Sequence, residues 1–277
     1  MSTKDLTIII TSFKSNSKIS SCLDSIDRTV KVILIENSCN QKFKEFIEKK
    51  YQNVKCIIPD KNLGYAKANN IGLRQTATKY ALVLNPDTSL SADTLKNFFE
   101  TASKYKDFSL IGPNSEEQKS VITKNNITEV ENIKGFAIFF NMNKFSEQKY
   151  FDENYFLYFE DIDLCRQVKK NNGKIYIDEK IKVYHQGGKS VDNDHKEEIE
   201  KNRNWHWMWS TFYYHKKYNN FLYALILVLP KLFSSILKIF FYTLYFNKDK
   251  RDIYSCRLSG LFNSILGRKS WRRPSLD

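Results

Sequence analysis

The chain has 277 residues, room for one large domain or a domain with an appendage, and 42% of them are hydrophobic, enough to bury a real core. Forty-four Lys and Arg against 31 Asp and Glu give a net charge of +13, which points to an acidic partner: nucleic acid, an anionic membrane or a phosphorylated substrate. Five cysteines (Cys22, Cys39, Cys56, Cys165, Cys256) form no C-x-x-C pair, which argues against a zinc site or disulfide framework and for reduced thiols in the cytosol; no signal peptide is visible.

In chain order, "LTIIITSF" (6–13) reads as a short buried strand. The next segment reads as a helix, with Ser17 as N-cap and Ile19, Leu23 and Ile26 at helical spacing. "VKVILIENS" (30–38) is a second strand with a polar end, and "QKFKEFIEKKY" (41–51) an amphipathic helix with Phe43, Phe46 and Ile47 on one face. "VKCIIP" (54–59) is a third strand. "GYAKANNIGLRQTA" (64–77) opens on glycine and reads as helix, and "YALVLNPD" (80–87) is a fourth strand. This alternation predicts a parallel sheet with helices on both faces. Ligands sit beyond the carboxyl ends of such strands. Three polar strand ends should meet there: Thr11-Ser12, Glu36-Asn37-Ser38 and Asn85-Pro86-Asp87.

The middle holds a helix (93–104), a polar stretch (114–130), the apolar "IKGFAIFFNM" (133–142), the segment "YFLYFEDIDLCRQ" (155–167) and one strand over 173–185. From about 203 the composition changes. "NWHWMWSTFYYHKKY" (204–218) is aromatic, and 221–246 is apolar and long enough to span a bilayer. Pro230 lies inside it, and Lys231, Ser234, Ser235 and Lys238 share one side. That pattern favours a helix in the membrane interface, lysines toward headgroups; a buried helix pair of the protein's own core is the alternative. Residues 247–277 carry eight Lys or Arg against three Asp, which suits an anionic leaflet better than nucleic acid, for which no binding motif is present.

Four short stretches carry chemistry. In "NPDTSL" (85–90), Asp87 on a turn at a strand end is a candidate cation ligand, or an ordinary Asn-Pro-Asp turn. In "KNLGYAKANNIG" (61–72), Gly64 lets backbone approach a phosphate at a helix N-terminus, or makes a plain turn. In "VYHQGGKS" (183–190), His185 is a candidate metal ligand, or a surface histidine. In "EDID" (160–163), carboxylates behind an aromatic wall suit a general base of raised pKa, or are helix-start acids with Asp163 paired to Arg166.

Taken together in order, TSF, ENS, NLGYAKANN, NPD, KGFAIFF, FDENYFLYFEDIDL and VYHQGGKS resemble glycosyltransferase family 2 over roughly residues 6–215, and within it the rhamnosyltransferase-like branch of cell-surface polysaccharide synthesis. The resemblance implies an α/β GT-A fold around a mixed, mostly parallel sheet. Residues 1–90 would be the nucleotide-binding half and 91–203 the acceptor half, with 204–277 a helical membrane-associating region. By the same resemblance Thr11, Ser12, Phe13, Glu36, Asn37, Ser38, Asn62, Gly64, Tyr65 and Asn85 contact the nucleotide-sugar. Asp87 and His185 hold Mg²⁺ or Mn²⁺, Asp161 is the general base with Glu160 beside it, and Gly135, Phe136 and Tyr158 face the acceptor. Glu36 stands where the family has Asp, and Asn85 replaces the first Asp of its D-x-D. The Q-x-x-R-W motif of processive synthases is absent, which favours single-sugar transfer. The implied activity is inverting transfer from dTDP-rhamnose or a UDP-sugar to a saccharide, with a polyprenyl-diphosphate-linked acceptor, at the cytoplasmic face of the cell membrane. A sugar nucleotidyltransferase and a non-catalytic membrane scaffold are the competing readings; the first expects a glycine-rich loop that "TSFKSNSK" lacks, and the second leaves the polar strand ends unexplained.

Overall fold

The structure, a computed structural model, describes residues 2–114, 126–145, 147, 149–185 and 196–274. It comprises two compact units: Met1–Asp152 with Glu160–Asp192, and Glu153–Phe159 with Asn193–Asp277.

The first unit begins with β1 (Leu6–Ser12), α1 (Asn16–Asp24), β2 (Lys31–Glu36), α2 (Gln41–Lys50), β3 (Val54–Ile57), α3 (Tyr65–Arg74) and β4 (Tyr80–Leu84). It continues through β5 (Thr88–Leu90), α4 (Thr94–Lys104), β6 (Phe108–Pro113), β7 (Ile127–Glu129), β8 (Ala137–Asn141), α5 (Glu160–Lys170), β9 (Lys174–Asp178) and β10 (Val183–His185). Eight strands form one mixed sheet in the order β3-β2-β1-β4-β8-β6-β9-β7. The apolar runs of β1 and β4 are buried along their whole length, as parallel strands covered on both faces must be. The chain winds outward from β1 through β2 to β3, then returns to the other side of β1 as β4. The crevice beyond the ends of β1 and β4 is therefore the topological switch point. Helix α3 lies hard on β1 because residue 72 has no side chain: a Cβ there would meet Ile9 Cγ2 at 2.5 Å.

Two pairings bring distant segments to that crevice. Strand β8 runs antiparallel to β4 with Ala137 opposite Leu84, so the entrance to β8 lies beside the exit from β4. A second, two-stranded sheet sets β10 against β5 with His185 opposite Thr88.

Some expectations shift. Helix α1 takes Ser15, not Ser17, as its N-cap residue. The single strand expected over 173–185 is two strands, because Asp178 builds a turn: its Oδ1 accepts the Lys180 amide and its carbonyl accepts the Ile181 amide. Gly187 and Gly188 lie outside the described residues.

The second unit holds α6 (Lys196–Tyr218), α7 (Phe221–Leu244) and α8 (Lys248–Ile265). Asn220 and Asn247 cap α7 and α8, each side chain accepting an amide three residues on. Helix α8 approaches α6 at Gly260, where a Cβ would stand 2.1 Å from the Trp205 carbonyl oxygen. Met208, Phe212, Ala224, Val228 and Leu261 form a small core. The 203/204 boundary expected from composition falls inside α6.

The strap Glu153–Phe159 belongs to this second unit. Phe156 stacks on His206 at 4.4 Å and Tyr155 meets Tyr213 edge-on at 5.0 Å. Both rings are buried, so they are core of the second unit and not open walls for a sugar. In α7 only Ala224, Val228 and Ser235 are buried, while Phe233, Ile236, Leu237, Phe240, Phe241 and Leu244 are exposed. It is not a core helix. By length and composition it is the one helix among the described residues able to cross a membrane. On the side that carries the expected lysines, Ser234 and Lys238 are exposed, Lys231 is half-buried and Ser235 is buried, and Lys238 Nζ donates to Tyr254 Oη of α8.

Candidate active site

The ends of β1 and β2 gather buried polar side chains. Thr11 Oγ1 donates to Asn69 Oδ1 of α3 at 2.9 Å. Ser12 Oγ beside it is buried without a hydrogen-bond partner among the described residues. Phe13 is half-buried, and its carbonyl accepts from Ser15 Oγ. Glu36 is 1% exposed, and its carboxylate accepts the amides of Ser38 and Asn40. Its charge thus shapes the turn before α2 and is turned into the backbone. Ser38 Oγ accepts the Lys14 amide, tying that turn to the end of β1. The turn passes through Cys39 at φ 59°, an exposed residue whose thiol lies 3.2 Å from the Pro59 carbonyl oxygen.

Asn37 holds the next loop. Its Nδ2 donates to the Gly64 carbonyl and its Oδ1 accepts the Leu63 amide. Asn62 Oδ1 accepts the Gly64 amide at 3.0 Å, and Gly64 takes φ 78°, a region that favours glycine. The loop delivers Tyr65 as the first residue of α3.

The Asn85-Pro86-Asp87-Thr88 turn closes through the Asn85 carbonyl, which accepts from the Thr88 amide and hydroxyl. Asp87 is 5% exposed, and neither carboxylate oxygen has a hydrogen-bond partner among the described residues. An orphaned buried carboxylate is costly unless a charge joins it. The β5–β10 pairing supplies a neighbour: His185 Nε2 lies 3.4 Å from Asp87 Oδ1. A carboxylate and an imidazole converging on one point fit a divalent cation whose remaining positions are filled by ligand oxygens.

The acids start α5. Glu160 and Asp161 occupy its first turn, where the macrodipole favours negative charge. Glu160 is buried with Oε2 unpartnered among the described residues, and burial, then the Asp161 charge, raises its pKa to about 8. Asp161 is half-buried. Its Oδ1 accepts the Ile162 amide at 2.8 Å and its Oδ2 the Gly135 amide at 2.9 Å. Desolvation raises its pKa while those two amides oppose the rise. Burial and the mutual charge thus favour the protonated form of Glu160, while the two amides favour the ionised form of Asp161. Asp163, deeper in the helix, accepts from Gln167 Nε2.

Gly135 and Phe136, just before β8, join these parts. The Phe136 carbonyl accepts the Asn85 amide at 2.9 Å, and its ring stacks on His185 at 4.7 Å and 9°. The Gly135 amide reaches Asp161, and the Gly135 carbonyl accepts the Tyr65 hydroxyl at 2.5 Å. The metal-type corner, the acid corner and the glycine loop therefore meet on two residues.

Tyr158 belongs to the second unit, where its ring meets Trp207 edge-on at 5.2 Å, and it and Phe159 both take φ 70°. Motif reading gave no role to two further residues, Asn69 and Asn70. Asn69 answers Thr11. Asn70, 1% exposed, clamps Phe151 through both its amide and its carbonyl. The signal was available: two consecutive asparagines on the buried face of an amphipathic helix need partners.

A family model described as Glycosyl transferase family 2 matches residues 7–166. The Low-salt glycan biosynthesis hexosyltransferase Agl10 of Haloferax volcanii is 21% identical over 195 residues, covering 61% of this chain and 62% of that protein. The Teichoic acid poly(glycerol phosphate) polymerase of Staphylococcus epidermidis is 31% identical over 103 residues, 34% of this chain and 14% of that protein. The chain thus matches less than two thirds of the length of either curated relative. Among solved structures, the mannosyltransferase PcManGT of Pyrobaculum calidifontis with GDP-Man and Mn²⁺ superposes with TM-score 0.60 at 10% identity, covering 96% of this chain and 88% of that one. S. aureus TarS 1-349 in complex with UDP gives TM-score 0.54 at 13% identity, covering 98% and 94%. These likenesses carry the fold, which is GT-A, with an apolar C-terminal helix that fits membrane association. With the family model spanning more than half of the chain, the protein belongs to glycosyltransferase family 2.

Proposed function

We propose that the protein is an inverting glycosyltransferase that moves a single sugar from a nucleoside-diphosphate donor to a saccharide hydroxyl. The observation that carries this reading is the convergence on Gly135 and Phe136 of an orphaned carboxylate–imidazole corner and a carboxylate pair of raised pKa. One corner suits a diphosphate with its cation, the other a hydroxyl that must lose a proton.

Asp87 and His185 would hold the cation, Mg²⁺ or Mn²⁺, which when bound neutralises charge on the leaving diphosphate. The loop at Gly64 lets backbone approach the donor, and the α3 N-terminus favours its negative charge. Ser12 Oγ, without a hydrogen-bond partner among the described residues, is placed to offer the same ligand a hydroxyl. Asp161 accepts the acceptor's hydroxyl proton as that oxygen bonds to the anomeric carbon, while the bond from that carbon to the diphosphate oxygen breaks. Burial and the Asp161 charge favour the protonated form of Glu160, and the two amides that Asp161 accepts favour its ionised form, which makes Asp161 the member suited to take a proton.

GDP-Man in the archaeal mannosyltransferase and UDP in TarS support a nucleotide-linked donor. For this chain we propose dTDP-rhamnose or a UDP-sugar. The exposed apolar side of α7 and the basic residues after it support a peripheral site on an anionic membrane, at its cytoplasmic face, with a polyprenyl-diphosphate-linked saccharide as acceptor.

Thermal shift with UDP, dTDP, GDP and CMP, each with and without Mn²⁺ or Mg²⁺, tests the donor half. One diphosphate should raise Tm only with metal, and Asp87→Ala should abolish that dependence. Equal shifts with and without metal, in wild type and variant alike, would remove Asp87 from the metal role. Release of free nucleoside diphosphate on adding acceptor separates transfer from nucleotidyl chemistry and from scaffolding.

A further inference from the structure

Tyr65 was expected to face the nucleotide, yet its hydroxyl is engaged elsewhere. It donates to the Gly135 carbonyl, and the amide of that same glycine donates to Asp161. The Tyr65 ring is held on its other side by Phe151, edge-on at 5.9 Å, and Asn70 clamps Phe151 at both backbone polar groups. From below, Gly64 is fixed by Asn62 and Asn37. A half-buried side chain thus reaches from the Gly64 loop to the glycine whose amide touches the base.

Gly135 needs such a restraint. A Cβ at that position would lie 3.1 Å from Asp161 Oδ2 and 3.2 Å from Asp161 Cβ, so the close approach of backbone to carboxylate favours glycine. Glycine is also the least self-restrained residue in a chain. The next residue is held by the Asn85 amide on the Phe136 carbonyl, and the Tyr65 hydroxyl is the hold on Gly135 itself.

We propose that Tyr65 is a positioning residue for the general base: by gripping the Gly135 carbonyl it keeps the Gly135 amide on Asp161. The inference rests on Asp161 being the base. The amide hydrogen bond favours the ionised carboxylate, so keeping it in place keeps Asp161 competent at lower pH. The desolvation that pushes the Tyr65 hydroxyl well above its ordinary pKa, with the Glu160 and Asp161 charges adding to it, keeps that hydroxyl a donor throughout the working range.

The test is Tyr65→Phe beside Asp161→Asn, each assayed for kcat and donor KM from pH 5.5 to 9.5. Tyr65→Phe keeps the ring on Phe151 and removes only the donor. Losing one amide bond to Asp161 should move the acidic limb of the kcat profile up by about one pH unit, so kcat falls by up to roughly tenfold along that limb and recovers on the plateau above it. Donor KM should hold within about twofold, since no ligand contact is removed. A uniform kcat loss at every pH, or an unmoved limb, with Asp161→Asn inactive, overturns the proposal and leaves the base assignment standing. Near-normal turnover in Asp161→Asn removes the base and the proposal with it. A second measurement needs no turnover: the Gly135 amide ¹⁵N shift should titrate with Asp161 in the wild type, and Tyr65→Phe should shift that titration to higher pH. Identical titrations in the two proteins overturn the proposal.

Discussion

The two units use apolar residues in opposite ways. In the first, strands β1 and β4 bury every side chain and the polar groups gather at one sheet end. In the second, α6 is packed with aromatics while α7 leaves a run of Phe, Leu and Ile in the open. A fold that satisfies its own hydrophobic demand needs only a ligand; one that leaves a large apolar face needs a second surface to cover it. The proposed chemistry belongs to the first unit and the unmet burial to the second, so substitutions in each should fail differently.

The largest effect is expected in the first unit. Asp161→Asn should cut kcat by about a thousandfold at pH 7.5 with an unchanged melting curve. Loss of both activity and cooperativity would instead assign Asp161 a folding role. In the second unit Gly260→Ala should cost about 3 kcal/mol, because the added methyl meets the Trp205 backbone and not a movable side chain. Urea titration with a tryptophan signal reads this, since all four tryptophans lie in that unit.

A third expectation concerns pH. The folded-state pKa of Glu160 is raised from 4.5 to about 8, so its contribution to stability is fully present below about 4.5 and is lost as pH climbs through 8. Over that window the wild type should lose up to about 1.4 kcal/mol per pH unit from this group, and Glu160→Gln should flatten the slope. Parallel slopes would mean that Glu160 is ionised in the folded protein. The smallest effect on stability, within about 0.5 kcal/mol, is expected for Phe233→Ser, Phe240→Ser and Phe241→Ser combined on the open side of α7. The same triple variant should no longer float with phosphatidylglycerol vesicles. Undiminished flotation would move the membrane contact off α7.

Much of the first unit was legible, because short apolar runs between amphipathic helices leave few alternatives to a wound parallel sheet. The polar strand ends were legible for the same reason. What brings His185 to Asp87 was not: it is a three-residue ladder between segments about a hundred residues apart, and no local pattern specifies it. The run YFLYFEDID was the least transparent. It reads as one motif, but two consecutive left-handed residues, Tyr158 and Phe159, turn the chain, so its buried aromatics serve α6 and its acids begin α5. The helices of the second unit were visible as hydrophobic segments. Their packing was not, since it depends on one missing side chain at Gly260.

The turn held by Glu36 also offers a spectroscopic handle. Cys22, Cys56 and Cys165 are buried, with thiols pushed up to about 12 by burial, and Cys256 is half-hidden. Cys39 alone is exposed, two residues beyond Asn37, and its pKa is raised by partial burial and by the Glu36 and Asp60 charges. Alkylation at mildly alkaline pH should therefore attach a single dye at the edge of the loop proposed to lie under the donor. Its emission would follow loading of the site in real time, in a protein that need not turn over.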